Sequence, residues 1–304
     1  MRYGVIGAGA VGGALAAYLL RAGLCCDVVA RGRTLAALRD KGIRLQPESK
    51  KALHVPCGVV EDPERYAGRP DVVFLTVKGY ALPSVLPLLR RICTAQTVVI
   101  PLLNIYGTGE ALQKELPLPL VTDGCVYIAA SAPRPGEVEL QGDIFRVVFG
   151  ARKPVDARPV LALVAEDLRC AGIEPLLSEH IRRDTLKKYA YTSPMASAGL
   201  YFDADAGRFQ REGPERALFI SLMREIDALA SAMGTPFDVD IVRTNLAILD
   251  ALAPDASTSM QRDIRLGRPS EMDGLLFAPV RLGERYGVPT PQYRAIAARF
   301  GFTG

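Results

Sequence analysis

A glycine-rich turn near the start of the chain, Gly7-Ala8-Gly9-Ala10-Val11-Gly12, constrains the fold more than any other feature. It follows directly on a β-rich run, Arg2–Ile6, and opens a helical pattern from Val11 to Ala22 that stops at Gly23. In that strand–loop–helix setting each glycine of GxGxxG has a task. The first permits the tight turn, the second lets a pyrophosphate approach the backbone, and the third allows close helix–strand packing. The helix N-terminus then offers free N–H groups and the positive end of its dipole to phosphates. The context separates this turn from glycine-rich turns made for other reasons. It predicts that Gly7, Ala8, Gly9, Ala10, Val11 and Gly12 hold a dinucleotide.

The rest of the N-terminal half continues the pattern. Asp27–Ala30 is the second strand and Thr34–Lys41 a helix ending at Gly42. Val72–Val77 and Val98–Leu103 are continuous apolar runs, as expected of strands buried on both faces. Leu120–Ala130, Glu137–Leu140 and Phe145–Phe149 are β-rich with little helix between, which suggests an antiparallel edge. A helix Ala157–Cys170 and a strand Glu174–Leu177 complete this half. From His180 onward only helical periodicity remains: Arg182–Ser193, Glu215–Met233, Val239–Leu252, Met260–Leu266, Glu271–Tyr286 and Pro291–Phe300. The chain therefore reads as an α/β dinucleotide-binding (Rossmann) domain over 1–178, with a doubly wound, mostly parallel sheet, followed by an all-α domain over 179–304.

The end of the second strand distinguishes the two nicotinamide dinucleotides. An enzyme using NAD places an acid there for the ribose 2′-OH. This sequence has Val29-Ala30-Arg31-Gly32-Arg33 instead. Arg31 can pair with a 2′-phosphate, which points to NADP(H); a solvated loop arginine is the plainer reading. Ligands of open α/β sheets lie beyond the carboxyl ends of the strands. Two apolar runs deliver a polar residue there, Lys78 and Asn104. Both are candidates for cofactor contact, and Asn104 also for substrate, or they are simply strands meeting solvent.

Bulk properties narrow the field. The 304 residues carry a net charge of +4 with Lys and Arg scattered, not the concentrated basic stripe of a nucleic-acid-binding protein. The six cysteines show no CxxC and no metal-ligand spacing, so we expect no metal and a reducing, cytoplasmic setting. The apolar stretch after Arg2 is too rich in glycine for a signal-peptide core, and no run reaches about eighteen apolar residues, so no membrane span is expected. With two histidines only, His54 and His180, proton transfer falls to another residue type.

Beyond these features the sequence resembles the ketopantoate reductases (2-dehydropantoate 2-reductases). The resemblance rests on Gly7–Gly12, Arg31, Thr76-Val77-Lys78-Gly79 and Asn104 with Gly107-Thr108. In the C-terminal half it rests on Ser259-Met260-Gln261-Arg262-Asp263-Ile264, Ser270-Glu271-Met272-Asp273-Gly274 and Gly287-Val288-Pro289-Thr290-Pro291. It implies NADPH-dependent reduction of the ketone of 2-dehydropantoate to pantoate, a step toward pantothenate and coenzyme A. It also implies a lysine that protonates the ketone oxygen and a glutamate that supports it. Here these are Lys188, which precedes Tyr189 as the family lysine precedes a hydrophobic or aromatic residue, with Lys187 as the alternative, and Glu271. Ser259, Asn104 and Lys187 are the candidate substrate contacts. Lysine is protonated at neutral pH and can neutralise charge developing on a ketone oxygen.

Plainer readings stand beside these. Ser257 or Ser259 could cap the helix near Met260, Ser270 with Glu271 could open the next one, and the lysine pair could be a solvated helix face. The asparagines that commonly follow the family lysine are absent, with Tyr191, Thr192 and Ser193 in their neighbourhood, and Ala256 stands where the family often has another. These departures leave open a reductase of the same architecture for a different 2-oxo or 3-hydroxy acid. From another class, a non-catalytic NADP sensor would require Lys78, Asn104, Lys188, Ser259 and Glu271 to be accidental. The expected partner is a small 2-oxo acid, with a homodimer compatible and neither nucleic acid nor membrane involved.

Overall fold

Where the sequence suggests one sheet, the chain builds two. The computed structural model describes residues 1–48 and 51–303. Its strands are β1 (Arg2–Ile6), β2 (Cys25–Val29), β3 (Ile43–Pro47), β4 (Leu53–Val55), β5 (Val59–Glu61), β6 (Val72–Leu75), β7 (Val98–Pro101), β8 (Leu120–Val121), β9 (Asp123–Ser131), β10 (Glu137–Gly150) and β11 (Glu174–Leu177). Six of them form a wholly parallel sheet in the order β5-β2-β1-β6-β7-β8. The second sheet runs β11-β10-β3-β4, with β9 antiparallel to β10. The antiparallel strands thus belong to their own sheet and are not an edge of the first. Glu137–Leu140 and Phe145–Phe149 are one strand, interrupted by a register shift between Gln141 and Phe145.

Helices α1 (Ala10–Arg21), α2 (Gly32–Lys41), α3 (Leu82–Ile92), α4 (Thr108–Glu115) and α5 (Val160–Cys170) complete this first unit. Successive residues of β1 serve opposite faces, as a period-two strand must. Val5 packs in the core shared with α1 and the second sheet (Val138, Phe149), while Ile6 faces Val85 and Leu89 of α3. Because α1 is covered on so many sides, it is built largely from small residues, Gly12, Gly13, Ala14, Ala16 and Ala17, all buried.

The second unit contains the long helix α6 (Ile181–Phe202), then α7 (Ala206–Phe209), α8 (Pro214–Ala232), α9 (Ile241–Asp250), α10 (Ser259–Arg265), α11 (Ala278–Tyr286) and α12 (Pro291–Arg299), around its own core of Leu186, Phe219, Leu222, Ile226, Leu276 and Tyr293. The first unit extends to Ile181, beyond the boundary at 178 expected from the sequence. Ser178 N–H still bonds Phe149 O at 2.9 Å, and Ile181 packs with Cys125 and Val148 of the second sheet. The second unit comprises Arg182 onward together with a short segment from far upstream, Asn104–Tyr106.

Helix α6 runs past its expected end at Ser193 even though Pro194 lies inside it. Proline removes the N–H that would bond the carbonyl four residues back, and Asn245 Nδ2, buried in α9, donates to that carbonyl, Ala190 O, at 3.0 Å. All six cysteines are unbridged. Burial pushes the thiol of Cys57 up to about 11 and that of Cys93 up to about 12. Among the described residues no helix is long and apolar enough to cross a membrane, and no His/Cys/Asp/Glu group could hold a metal ion.

Candidate active site

β1 lies between β2 and β6, where the order of the parallel sheet reverses, and the glycine turn starts at its carboxyl end. Gly7 has φ +102°, which L side chains rarely adopt, and its N–H donates to Val29 O at 3.0 Å. A Cβ on Gly12 would collide with Gly7 O and Thr76 Oγ1. Thr76 Oγ1 in turn donates to Gly7 O at 2.7 Å, which fixes the turn from β6. Gly9 differs: it is exposed, and a Cβ there would meet nothing within 4 Å. The protein's own packing therefore demands Gly7 and Gly12, whereas Gly9 leaves bare backbone toward open space.

Gly9 is the N-cap of α1, and the first helical bond runs from Gly13 N–H to Gly9 O at 2.8 Å. The N–H groups of Ala10, Val11 and Gly12 consequently have no acceptor within the helix. The first turn holds no acidic residue either, so the positive end of the dipole is not offset locally. With half-buried Ala8, Ala10 and Val11 as walls, this cradle fits a dinucleotide pyrophosphate.

Arg31 is the exposed N-cap of α2. Among the described residues its guanidinium makes long bonds, to Ser84 Oγ at 3.4 Å and Ser84 O at 3.3 Å, so an anion can recruit it at little cost. Lys78 and Asn104 are not strand ends as the apolar runs imply. The paired part of β6 stops at Leu75 and that of β7 at Pro101. Both residues lie in the loops that follow, with Lys78 leading into the tight turn Gly79–Ala81.

In the second unit, Lys188 Nζ donates to Asn104 Oδ1 at 2.7 Å in a partly buried setting. Lys187, one residue earlier on α6, points elsewhere: its Nζ pairs with Asp238 at 2.6 Å and Asp184 at 3.7 Å. Its hydrogen bond holds the Asp238 carboxyl below the ordinary carboxylate range. The structure thus brings Lys188 and Asn104 together and turns Lys187 into an ion pair.

Glu271 is buried and opens the stretch to Tyr286 expected to be ordinary helix. Asp273–Phe277 instead winds as a π turn before α11. Pro279 explains the change, since it has no N–H for Leu275 O, and Ala278 N–H turns to Asp273 O. Hydroxyls at four-residue spacing along α6 meet the freed carbonyls. Tyr189 Oη donates to Gly274 O at 2.6 Å, Ser193 Oγ to Leu275 O at 2.7 Å, and Ser197 Oγ to Leu275 O at 3.3 Å. The helix carrying Lys188 is thereby fastened to the segment that follows Glu271. Sequence reasoning missed this stripe, although Pro279 and the spacing 189/193/197 were its visible signal.

Ser259 is the half-buried first residue of α10, but the cap there is Thr258, whose Oγ1 accepts from Gln261 N–H in a capping box, so neither Ser257 nor Ser259 fills that role. Thr192 Oγ1 donates to Lys188 O at 3.0 Å. The hydroxyl of Tyr191 is buried with no hydrogen-bond partner among the described residues, and burial pushes it up to about 12.

Two family models match the sequence: "Ketopantoate reductase PanE/ApbA" over residues 3–154 and "Ketopantoate reductase PanE/ApbA C terminal" over residues 180–302. A 2-dehydropantoate 2-reductase of Mesorhizobium japonicum is 28% identical over 325 residues, covering 98% of this chain and 96% of its own. Among solved structures, a PanE/ApbA family ketopantoate reductase from Ralstonia eutropha superimposes with a TM-score of 0.88 at 25% identity, over 98% of this chain and 97% of its own. A D-mandelate dehydrogenase solved with NADH and anilino(oxo)acetate shares the fold, with a TM-score of 0.89 at 19% identity over 98% of this chain and 96% of its own. With both halves matched and the glycine cradle in place, the chain belongs to the ketopantoate reductase family of oxidoreductases.

Proposed function

We propose that this protein reduces the ketone of a 2-oxo acid to the alcohol with NADPH, and that 2-dehydropantoate is its substrate. The observation that carries the reading is the Lys188–Asn104 pair at 2.7 Å, an ammonium oriented by a neutral amide in a family whose reaction needs a proton donor. NADPH supplies the hydride. The Gly7–Gly12 cradle binds its pyrophosphate and Arg31 its 2′-phosphate, with Lys78 in the loop after β6 as a further contact. Lys188 gives its proton to the ketone oxygen as negative charge develops there, and Asn104 holds the ammonium in position. Glu271 supports the lysine from its buried site, and Ser259 bonds a substrate oxygen. The balance is one ketone, one NADPH and one proton to one alcohol and one NADP⁺. The six unbridged thiols suit a cytoplasmic setting.

A specific observation favours a second reading, a different 2-oxo acid. Thr192 Oγ1 is committed to Lys188 O and Ser193 Oγ to Leu275 O, the Tyr191 hydroxyl is buried, and the Ala256 side chain has no polar group. They do not replace the amide donors the family commonly has. NADPH oxidation against 2-dehydropantoate, oxaloacetate, pyruvate, 2-oxoisovalerate and phenylglyoxylate decides between them. The highest kcat/KM for 2-dehydropantoate supports the first reading, and a preference of tenfold or more for another acid replaces it with the second.

A further inference from the structure

Gly274 is buried inside a helical turn and its φ is not in the left-handed region, so the backbone does not require glycine there. Glycine at such a position costs about 1 kcal/mol relative to alanine, which calls for a reason. The reason is Ile105. A Cβ on Gly274 would stand 2.5 Å from Ile105 Cδ1, 2.6 Å from Cγ1 and 3.0 Å from Cγ2. Both branches of the isoleucine lie against the glycine, and a β-branched side chain is stiff at χ1, so a Cβ at 274 would have to displace the Ile105 side chain from its seat.

We infer that Ile105 seated on Gly274 is the device that positions Asn104 against Lys188, which makes Gly274 and Ile105 positioning residues for the reaction proposed above; the inference rests on that reading of Lys188. Three consecutive residues close a ring of contacts. Asn104 accepts from Lys188 Nζ at 2.7 Å, Ile105 fills the space above Gly274, and the Tyr106 ring packs against Tyr189 with centroids 6.1 Å apart. Tyr189 completes the ring by donating to Gly274 O at 2.6 Å. Any one of these contacts is modest. Closed on one another, they fix a loop segment whose neighbours in sequence cluster with the other unit. The amide oxygen beside the lysine is therefore held by shape as well as by its own hydrogen bond.

The test is a mutant cycle with two readouts. The first needs neither cofactor nor substrate: acylation of Lys188 by an N-hydroxysuccinimide ester, mapped by peptide mass spectrometry with Lys187 as the internal reference. Gly274→Ala should raise the Lys188/Lys187 ratio several-fold, and Ile105→Ala should do so too, by emptying the socket. The double variant Ile105→Ala/Gly274→Ala, in which one methyl replaces part of the lost volume, should bring the ratio back toward the native value. The second readout is kcat with NADPH and the fastest acid of the panel, per NADPH-binding site. Each single variant should lose about ten- to a hundredfold, the equivalent of one charge-assisted hydrogen bond, and the double variant should exceed both. An unchanged acylation ratio in folded Gly274→Ala, or in Ile105→Ala should the former not fold, overturns the inference, as does a double variant worse than either single one. Full turnover by Lys188→Ala overturns the underlying reading instead, and the acylation result separates the two failures.

Discussion

Replacing Lys188 with alanine removes the ammonium that sits 2.7 Å from Asn104 Oδ1. The loss of proton transfer sets the size of the effect. Positioned proton transfer is typically worth about 10²–10⁴ in rate, which corresponds to roughly 2.7–5.4 kcal/mol of transition-state stabilisation. The orienting bond to Asn104 is itself charge-assisted and contributes at the upper end for a single hydrogen bond, but it disappears with the lysine and adds no separate loss. We therefore expect kcat to fall by a hundredfold or more. NADPH affinity should change by less than about threefold, because the residues fitted to its phosphates, Gly7–Gly12 and Arg31, are left intact. Lys187→Ala is the internal control. At about 100° per residue the two lysines cannot share a direction, and half-buried Lys187 is committed to Asp238 and Asp184. Its charge is turned to those carboxylates and away from Asn104, so its kcat should stay within about twofold of the native value. The assay is NADPH absorbance under saturating acid, with affinity taken from quenching of NADPH fluorescence. If Lys187→Ala is the damaging change and Lys188→Ala is not, the assignment from the Asn104 bond is wrong. If both variants turn over normally, no lysine of this helix donates the proton.

The other predictions use separate sites. Arg31→Ala should raise the KM for NADPH about ten- to a hundredfold and that for NADH little, the worth of a charge-assisted contact; equal effects on both would show that Arg31 does not read the 2′-phosphate. Tyr191→Phe removes a buried hydroxyl that lacks a partner among the described residues and should stabilise the fold by up to about 1 kcal/mol. Thermal melting checks this, and a clear drop in Tm would mean that the hydroxyl is engaged. Asn245→Ala leaves Ala190 O, opened by Pro194, without its donor, at a cost of about 1–3 kcal/mol; an unchanged denaturation midpoint would contradict that role.

Much of the first unit was legible because its signals are local. The turn Gly7–Gly12 needs only residues adjacent in sequence, and β1, β2, α1 and α2 lie within a residue or two of where apolar pattern and glycine stops place them. What apolarity cannot report is which strand pairs with which. The run Val98–Leu103 extends past its ladder because Leu102 and Leu103 are buried beyond the last paired residue. Short strands such as β3 and β5 carry little pattern of their own and exist because a neighbour offers an edge, β10 for β3 and β2 for β5. The division into two sheets is likewise a fact of partners and not of composition.

The candidate site shows the same limit more sharply. Lys187 and Lys188 differ in sequence by a single step, so only a tertiary partner can separate them; Asp238 takes one and Asn104 the other. Asn104 itself follows a parallel strand and reads as a strand-end residue, yet it clusters with the helical unit. The local signal that it is held there was divided between two distant places, a bulky Ile105 after the asparagine and a glycine inside the Glu271-Met272-Asp273-Gly274 segment. Neither has a local explanation: an isoleucine in a loop and a glycine in a helical turn are each mildly unfavourable alone. Pro279 repeats the logic, since it frees carbonyls that mean nothing until Tyr189, Ser193 and Ser197 are seen facing them. Residues that look locally wrong are thus where the long-range contacts of this chain are to be sought. In this protein they lie around the lysine on which the proposed chemistry depends.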